Sequence, residues 1–170
     1  MNEKLIIGVL GATNAGKTYT WNTLFGRTVK TGKNLRKLFL NEKEFVDVFL
    51  VNGSPAERHK YVGDIITVDE PKIILCSLLY TKEVIETLDY FIEHGYYLYI
   101  HWLSPGYKEE VEPPLFYSIG IINRLLANNS IVGIRNAKEN TKERVQELKD
   151  FIYGWAKSRN QIKIRKKKKK

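Results

Sequence analysis

Residues 5–18, Leu5-Ile-Ile-Gly-Val-Leu-Gly11-Ala-Thr-Asn-Ala-Gly16-Lys17-Thr18, carry the strongest structural signal in this 170-residue chain. The apolar run from Leu5 to Leu10 is typical of a strand that is buried on both faces, as in a parallel sheet. We predict a helix from Gly16 to Phe25 that ends at Gly26, because glycine is the usual residue just beyond a helix. The segment therefore predicts a buried strand, a glycine-rich loop and a helix, in that order.

The rest of the chain alternates short apolar runs with segments of helical periodicity, a pattern typical of α/β proteins. Two of the runs, 35–40 and 45–51, are separated by a short polar segment and should form an antiparallel hairpin. Further strands are predicted at 73–79, 96–103 and 131–134, with helices between and after them. We therefore predict a three-layer αβα fold with a mostly parallel sheet and one antiparallel hairpin.

Eight consecutive residues match the pattern G-x-x-x-x-G-K-[ST], the Walker A phosphate loop: Gly11, Ala12, Thr13, Asn14, Ala15, Gly16, Lys17 and Thr18. The glycines let successive backbone N–H groups turn inward to form an anion site, and the following helix N-terminus adds positive charge. Lys17 and Thr18 are the candidate catalytic residues, because the lysine can bridge the β- and γ-phosphates and the threonine hydroxyl can coordinate Mg²⁺. The motif resembles that of the P-loop NTPase superfamily, which implies ATP or GTP as ligand and Mg²⁺ as cofactor.

The layout of residues 4–157 also resembles that of the Ras-like small GTPases, including Asn136-Ala137-Lys138 where that family has Ser-Ala-Lys. Two later motifs depart from the family. Its D-x-x-G with a following Gln is replaced by Asn52-Gly-Ser-Pro55 and Ala56, which removes a carboxylate that supports Mg²⁺ and the group that orients water. Its guanine-reading N-K-x-D is replaced by residues 104–108, Ser-Pro-Gly-Tyr-Lys. The resemblance therefore implies a nucleotide-binding switch with slow or partner-stimulated hydrolysis and an undetermined base.

Other residues are weaker candidates for the same site. Thr28 or Thr31 could close over the γ-phosphate, and Arg58 or His59 could replace the missing catalytic groups. A second source of a carboxylate, Asp69-Glu70-Pro71, is predicted to be a turn, because the next strand begins too soon for a crossover.

Two other functions stay open at this stage. A small P-loop kinase would need a base, for which Asp47 and Asp64 are available, and a clamp of several arginines, whereas Arg124 and Arg135 are isolated in sequence. A non-catalytic module could use the same loop to bind a phosphate other than that of a nucleotide.

The excess of positive over negative charge is confined to the C-terminal end of the chain. The formal net charge is +9, yet nine of the 28 Lys and Arg residues lie between Lys157 and Lys170, and the other 19 balance 19 acidic residues. We predict a globular domain over residues 1–157 and a disordered polybasic tail over 158–170, whose residues 162–170 could contact an anionic membrane surface or a nucleic acid.

The expected compartment is the cytoplasm. The chain has no apolar run long enough to span a bilayer and no signal-peptide pattern. Its single cysteine, Cys76, lies in an apolar run and is predicted to be buried and inert.

Overall fold

The structure is a computed structural model and describes residues 2–105, 120–139 and 141–167. Strands and helices alternate along most of the chain. In chain order they are β1 (Lys4–Gly11), α1 (Lys17–Phe25), β2 (Arg36–Phe39), β3 (Glu44–Val51), α2 (Val62–Ile65), β4 (Ile73–Leu79), α3 (Val84–Glu93), β5 (Tyr96–Leu103), α4 (Ile121–Leu126), β6 (Ser130–Arg135), α5 (Thr141–Lys157) and β7 (Lys163–Ile164).

The described strands form one sheet in the order β2-β3-β4-β1-β5-β6, and β7 pairs with the first residues of β3. Strands β3, β4, β1, β5 and β6 run parallel to one another, whereas β2 and β7 are antiparallel to β3. β4 lies between β3 and β1, so the ends of those two strands are separated by the width of one strand. The predicted α/β class and the antiparallel hairpin are confirmed.

Helices cover both faces of the sheet because its central strand is apolar on both sides. Leu5, Ile7 and Val9 belong to a buried core that also contains side chains of α1 and α5. Ile6 and Leu10 belong to a second core with side chains of α2, α3 and α4. Successive side chains of a strand point to opposite faces, so one continuous apolar run supports both layers.

The predicted boundaries around the glycine-rich loop hold closely. α1 begins at Lys17, one residue after the predicted start, and Gly26 follows its last residue with a left-handed φ of 67°. The Gly26 N–H donates to the carbonyl of Thr23, and the Arg27 N–H donates to that of Asn22. Gly26 thus ends the helix, as the sequence predicted, and lets the last carbonyl groups of α1 accept hydrogen bonds.

Other segments differ from prediction or fall outside the described residues. The four-residue helix α2 was not predicted, because one turn carries no helical periodicity. Asp69-Glu70-Pro71 forms a bend before β4, as predicted. A helix is also predicted between Pro114 and β6, and its residues up to 119 lie outside the described residues. The described part of this helix is α4.

Residues 158–164 are ordered, although the sequence predicted disorder from residue 158 onward. Arg159 Nε donates to Asn2 O at 2.6 Å, and its guanidinium lies 3.4 Å from the centre of the Trp155 ring. Lys163 and Ile164 then pair with β3. The prediction of disorder from residue 158 is therefore wrong for residues 158–164, whose contacts hold them on the body, and residues 168–170 lie outside the described residues. Within the described ranges, no helix is long and apolar enough to cross a membrane.

Candidate functional site

The loop between β1 and α1 lies at the edge of the sheet where the parallel strands end. Asn14 and Gly16 have left-handed φ values of 62° and 100°, and the Ala15 N–H donates to Ala12 O at 3.1 Å. These conformations turn the chain sharply into the N-terminus of α1. A Cβ at Gly11 would lie 2.9 Å from that of Ala15, so this position is also restricted to glycine.

Lys17 is the buried cation of this loop, with only 7% of its surface exposed. Its Nζ donates to the carbonyl oxygens of Gly11 at 3.0 Å and Ala12 at 2.7 Å, and lies 3.2 Å from Glu57 Oε1. An ammonium group has three donors, so these three oxygens account for all of them. Burial lowers the pKa of Lys17, and the negative charge of Glu57 opposes that shift.

Thr18 contacts the loop that follows β3. Its hydroxyl donates to Asn52 Oδ1 at 3.1 Å. Asn52 is held in turn by two segments, because its Nδ2 donates to Val29 O at 2.9 Å and its backbone exchanges hydrogen bonds of 2.8 and 2.7 Å with the Thr31 hydroxyl. Asn52 thus occupies the position next to Thr18 where the resemblance led us to expect an aspartate.

An open cleft of about 400 Å³ adjoins Thr18 on this side. Arg58 Nη1 donates to Thr31 Oγ1 at 3.1 Å, which places the guanidinium on the wall of the cleft. The lining carries two cations and no carboxylate; it consists of Thr18, Lys30, Thr31, Asn52, Gly53 and Arg58. Such a cleft suits an anionic group beside the phosphate loop.

The loops after β5 and β6 approach the phosphate loop from the other side. Ala137 Cβ lies 3.6 Å from where a Cβ on Gly16 would be. The Ala137 N–H donates to Ser104 Oγ at 2.9 Å, and the Ser104 N–H donates to Arg135 O at 2.8 Å. Ser104 has a left-handed φ of 42°. Ala137 is thus next to the loop at Gly16, whereas residues 106–108 lie outside the described residues.

Thr18 and Asn52 carry the oxygen atoms of this site that could hold a magnesium ion. Thr18 Oγ1 donates to Asn52 Oδ1 at 3.1 Å, and a bound ion would replace this hydrogen bond. Both are uncharged oxygens, which magnesium accepts when phosphates and waters supply the remaining ligands. The described residues contain no group of three or more His, Cys, Asp or Glu side chains that could hold a metal by itself.

The residues that the sequence offered as weaker candidates lie in different parts of the structure. Thr31 and Arg58 lie in the cleft beside Thr18. Thr28 is exposed in the segment before it, and His59 is exposed with a left-handed φ of 49°. Asp47 forms an ion pair with Lys163 at the far side of β3, and Asp64 is exposed on α2.

Glu57 is the functional candidate that the sequence did not single out, whereas Asn52 was noted as the residue in place of an aspartate. Glu57 lies in the loop after β3, where its backbone N–H donates to the buried Ser54 hydroxyl at 3.2 Å. The signal that could have found Glu57 is a carboxylate in the loop after β3, the strand that precedes the Asn52 to Arg58 loop. Cys76 is fully buried, as predicted, and burial raises the pKa of its thiol.

Comparisons with known proteins give little further information. No family model and no curated protein matches the chain. Among solved structures, the crystal structure of a mutation variant of SsGBP is similar at 21% sequence identity and a TM-score of 0.43. The similarity covers 91% of this chain and 57% of the other, so the chain spans a little more than half the length of that protein.

Proposed function

We propose that the protein binds the phosphates of a nucleoside triphosphate, ATP or GTP, together with Mg²⁺, and hydrolyses it slowly or with a stimulating partner. The observation that carries the proposal is the environment of Lys17. Its buried ammonium lies at the mouth of a loop with left-handed turns, at a helix N-terminus, and a carboxylate at 3.2 Å already neutralises it. A site built to hold a negative oxygen there suits a phosphate.

In this proposal each side chain has a separate task. The backbone N–H groups of residues 12–17 and the N-terminus of α1 bind the β-phosphate. Lys17 exchanges Glu57 for phosphate oxygens, and Thr18 with Asn52 would hold the magnesium, which offsets charge on the phosphates. Arg58 and Lys30 on the adjoining cleft then lie beside the terminal phosphate.

Slow turnover is expected from Asn52 on the cleft and from Ala56 in the loop after β3. Asn52 offers an uncharged oxygen where a carboxylate would bind the magnesium shell more strongly, and Ala56 has no group to orient water. We infer a role in which the occupied and empty states differ in the position of the 53–60 loop, because Glu57 has to leave Lys17 when phosphate enters. A compartment rich in nucleotides fits this role, so we propose a cytoplasmic location.

A second candidate function, phosphoryl transfer to an anionic acceptor, is favoured by the cleft alone. The cleft is about 400 Å³ and carries Lys30 and Arg58, which could hold an acceptor with its own negative charge. A non-catalytic phosphate-binding module would use the loop but not the cleft.

Binding of ATP, GTP and their diphosphates, with and without Mg²⁺, should be measured by calorimetry on the wild type and on Lys17→Ala. We expect Lys17→Ala to lose about 10- to 100-fold in affinity, because one charge-assisted hydrogen bond to phosphate is lost. Lys82→Ala, at an exposed position before α3, is the control. Unchanged affinity in Lys17→Ala would refute the proposal, and turnover of several per second with an acceptor would favour the kinase.

A further inference from the structure

A basic face lies at the end of the sheet opposite the phosphate loop. We define it by Lys37 and Phe39 of β2, Lys163 of β7, and Arg165 and Lys166 after it. Lys37 pairs with Asp47 of β3, and both Phe39 and Lys163 pair with Phe45. Side chains of directly paired residues project from the same side of a sheet, so Lys37 of β2 and Lys163 of β7 lie on one surface, where Lys163 forms an ion pair with Asp47.

Contacts between these side chains order the face. Lys37 Nζ lies 4.9 Å from the centre of the Phe45 ring, and the Arg165 guanidinium lies 5.9 Å from that of Phe39. The Arg165 N–H donates to Lys43 O in the hairpin turn at 2.8 Å. The polybasic segment therefore leaves the body beside the hairpin turn, in a position fixed by β7.

Exposed apolar side chains accompany the positive charge. Ile164 is 71% exposed, Leu35 41% and Phe39 38%. Lone exposed apolar residues are ordinary, but Phe39 projects from the same side of the sheet as Lys37 and Lys163, and Leu35 lies immediately before β2. Ile164 pairs with Glu44 and projects from the other side. Basic residues combined with protruding aliphatic residues are the composition of segments that lie on membrane surfaces.

We propose that the basic face docks on an anionic lipid bilayer. Lys166 and Lys167 continue the positive charge beyond Arg165, and the sequence adds Lys168, Lys169 and Lys170. A nucleic acid would offer phosphates to the same cations but no apolar surface for the exposed Leu35, and base stacking would need a free aromatic ring, whereas Phe39 is flanked by Phe45 and Arg165. The membrane accounts for both the charge and the aliphatic side chains.

The position of the face leaves the phosphate loop accessible. β3 begins at Glu44, next to the hairpin turn, and ends at Val51, next to Asn52 of the candidate nucleotide site. A strand of this length extends about 25 Å. A bilayer at the hairpin end would therefore leave the opposite end of the sheet in water.

The test is co-sedimentation of the full chain with phosphatidylcholine vesicles that contain about 30 mol% phosphatidylserine, at about 0.1 M salt. The variant replaces Lys37, Arg165, Lys166 and Lys167 by Gln, and the control replaces the exposed Lys60, Lys72, Lys82 and Lys142 by Gln, with the same change in charge. We expect the variant to lose at least about tenfold in partitioning and the control to lose less than about twofold. Equal losses, or no binding by the wild type, would overturn the proposal.

A second variant separates a membrane from a nucleic acid. Leu35→Ser keeps every charge and should lower partitioning into the anionic vesicles about two- to fivefold, because an exposed aliphatic side chain no longer inserts. Binding to a fluorescein-labelled RNA or DNA duplex is measured at the same salt. Duplex binding tighter than vesicle binding, or vesicle binding that Leu35→Ser leaves unchanged, would overturn the membrane as the occupant.

Discussion

The ammonium of Lys17 and the carboxylate of Glu57 show how one residue pair links two loops. Their atoms are 3.2 Å apart, although the residues are far apart in sequence. Lys17 is almost fully buried, whereas a third of the Glu57 side chain is exposed. Glu57 can therefore leave toward solvent, and Lys17 cannot follow it. The exchange of this partner for a phosphate is the chemical step on which the proposed function depends.

Replacing Glu57 by Gln should strengthen nucleotide binding. The variant removes the charge that competes with phosphate for Lys17, and a partly exposed ion pair of this kind contributes about 1 kcal/mol, which corresponds to about fivefold in affinity. Calorimetric titration with ATP and GTP measures the change, with Glu86→Gln on α3 as the control. Weaker binding in Glu57→Gln would mean that the carboxylate is part of the liganded site.

His101 predicts a pH dependence of stability that is independent of any ligand. It is 1% exposed on β5, and burial lowers its pKa to about 4 from 6.5, although the charge of Glu147 opposes the shift. As the pH falls below 6.5 the unfolded chain binds a proton at His101 and the folded chain does not, so the free energy of unfolding decreases down to about pH 4. The full loss is about 3 kcal/mol.

Urea denaturation at pH 7.5, 6 and 5 tests this prediction, with His101→Phe as the variant without the titrating group. We expect a shallower pH dependence in His101→Phe than in the wild type over this range. Glu147 changes the free energy of unfolding only at the acid end of the pH range. Its hydrogen bond to Arg135 lowers its pKa, so its stabilising contribution is lost below about pH 4.5. Parallel pH profiles of the two proteins would exclude His101 as the cause.

At the scale of elements, the contact between α1 and α5 contains a buried cation with few partners. Arg144 is 4% exposed, and its Nη1 donates to the Thr20 hydroxyl at 2.6 Å. Its Nε and Nη2 have no hydrogen-bond acceptor among the described residues. Burial lowers the pKa of Arg144, which reflects the cost of keeping its charge between the two helices.

We expect Arg144→Met to leave the free energy of unfolding unchanged or raise it by about 1 kcal/mol or more, because an apolar chain of similar length fits the site without desolvated charge. Thr20→Val should instead lower it by about 1–3 kcal/mol, because it removes the acceptor and leaves the cation in place. Urea denaturation measures both. A large loss in Arg144→Met would show that the guanidinium has an acceptor outside the described residues.

The elements that the sequence predicted best are those with a strong local signal. β4 and β5 are apolar runs with clear ends, and α1 follows a contiguous motif and ends at a glycine. α2 and β7 were missed because four and two residues carry no periodicity. The segment before β7 is also positioned by contacts distant in sequence, because Arg159 and Gln161 donate to backbone carbonyls of Asn2 and Glu3.

The candidate site was predictable where its residues are consecutive and not where they come from different loops. Lys17 and Thr18 follow from the motif. Glu57 and Asn52 reach them because β3 and β1 end at the same edge of the sheet with β4 between them, and the order of strands is set by pairing that no local pattern encodes. The position of Thr31 depends on its hydrogen bonds with Asn52 in the same way.

At the scale of the whole molecule, the parallel sheet gives the protein two chemically different ends. The carboxyl ends of the strands carry the phosphate loop and its cleft. The other end carries the hairpin turn, β7 and the basic face. The excess of positive charge beyond residue 156 thus lies at this second end, where it adds to Lys37 of β2.

This separation predicts that nucleotide and lipid binding are independent. The two surfaces lie at opposite ends of β3, about 25 Å apart, and the proposed release of Glu57 from Lys17 involves only the end that carries the glycine-rich loop. Saturating ATP or GTP with Mg²⁺ should therefore change partitioning into anionic vesicles by less than about twofold, and Lys17→Ala should partition like the wild type. Because coupling is reciprocal, vesicles should leave nucleotide affinity equally unchanged. A change of fivefold or more in either direction would show that the 53–60 loop and the basic face move together.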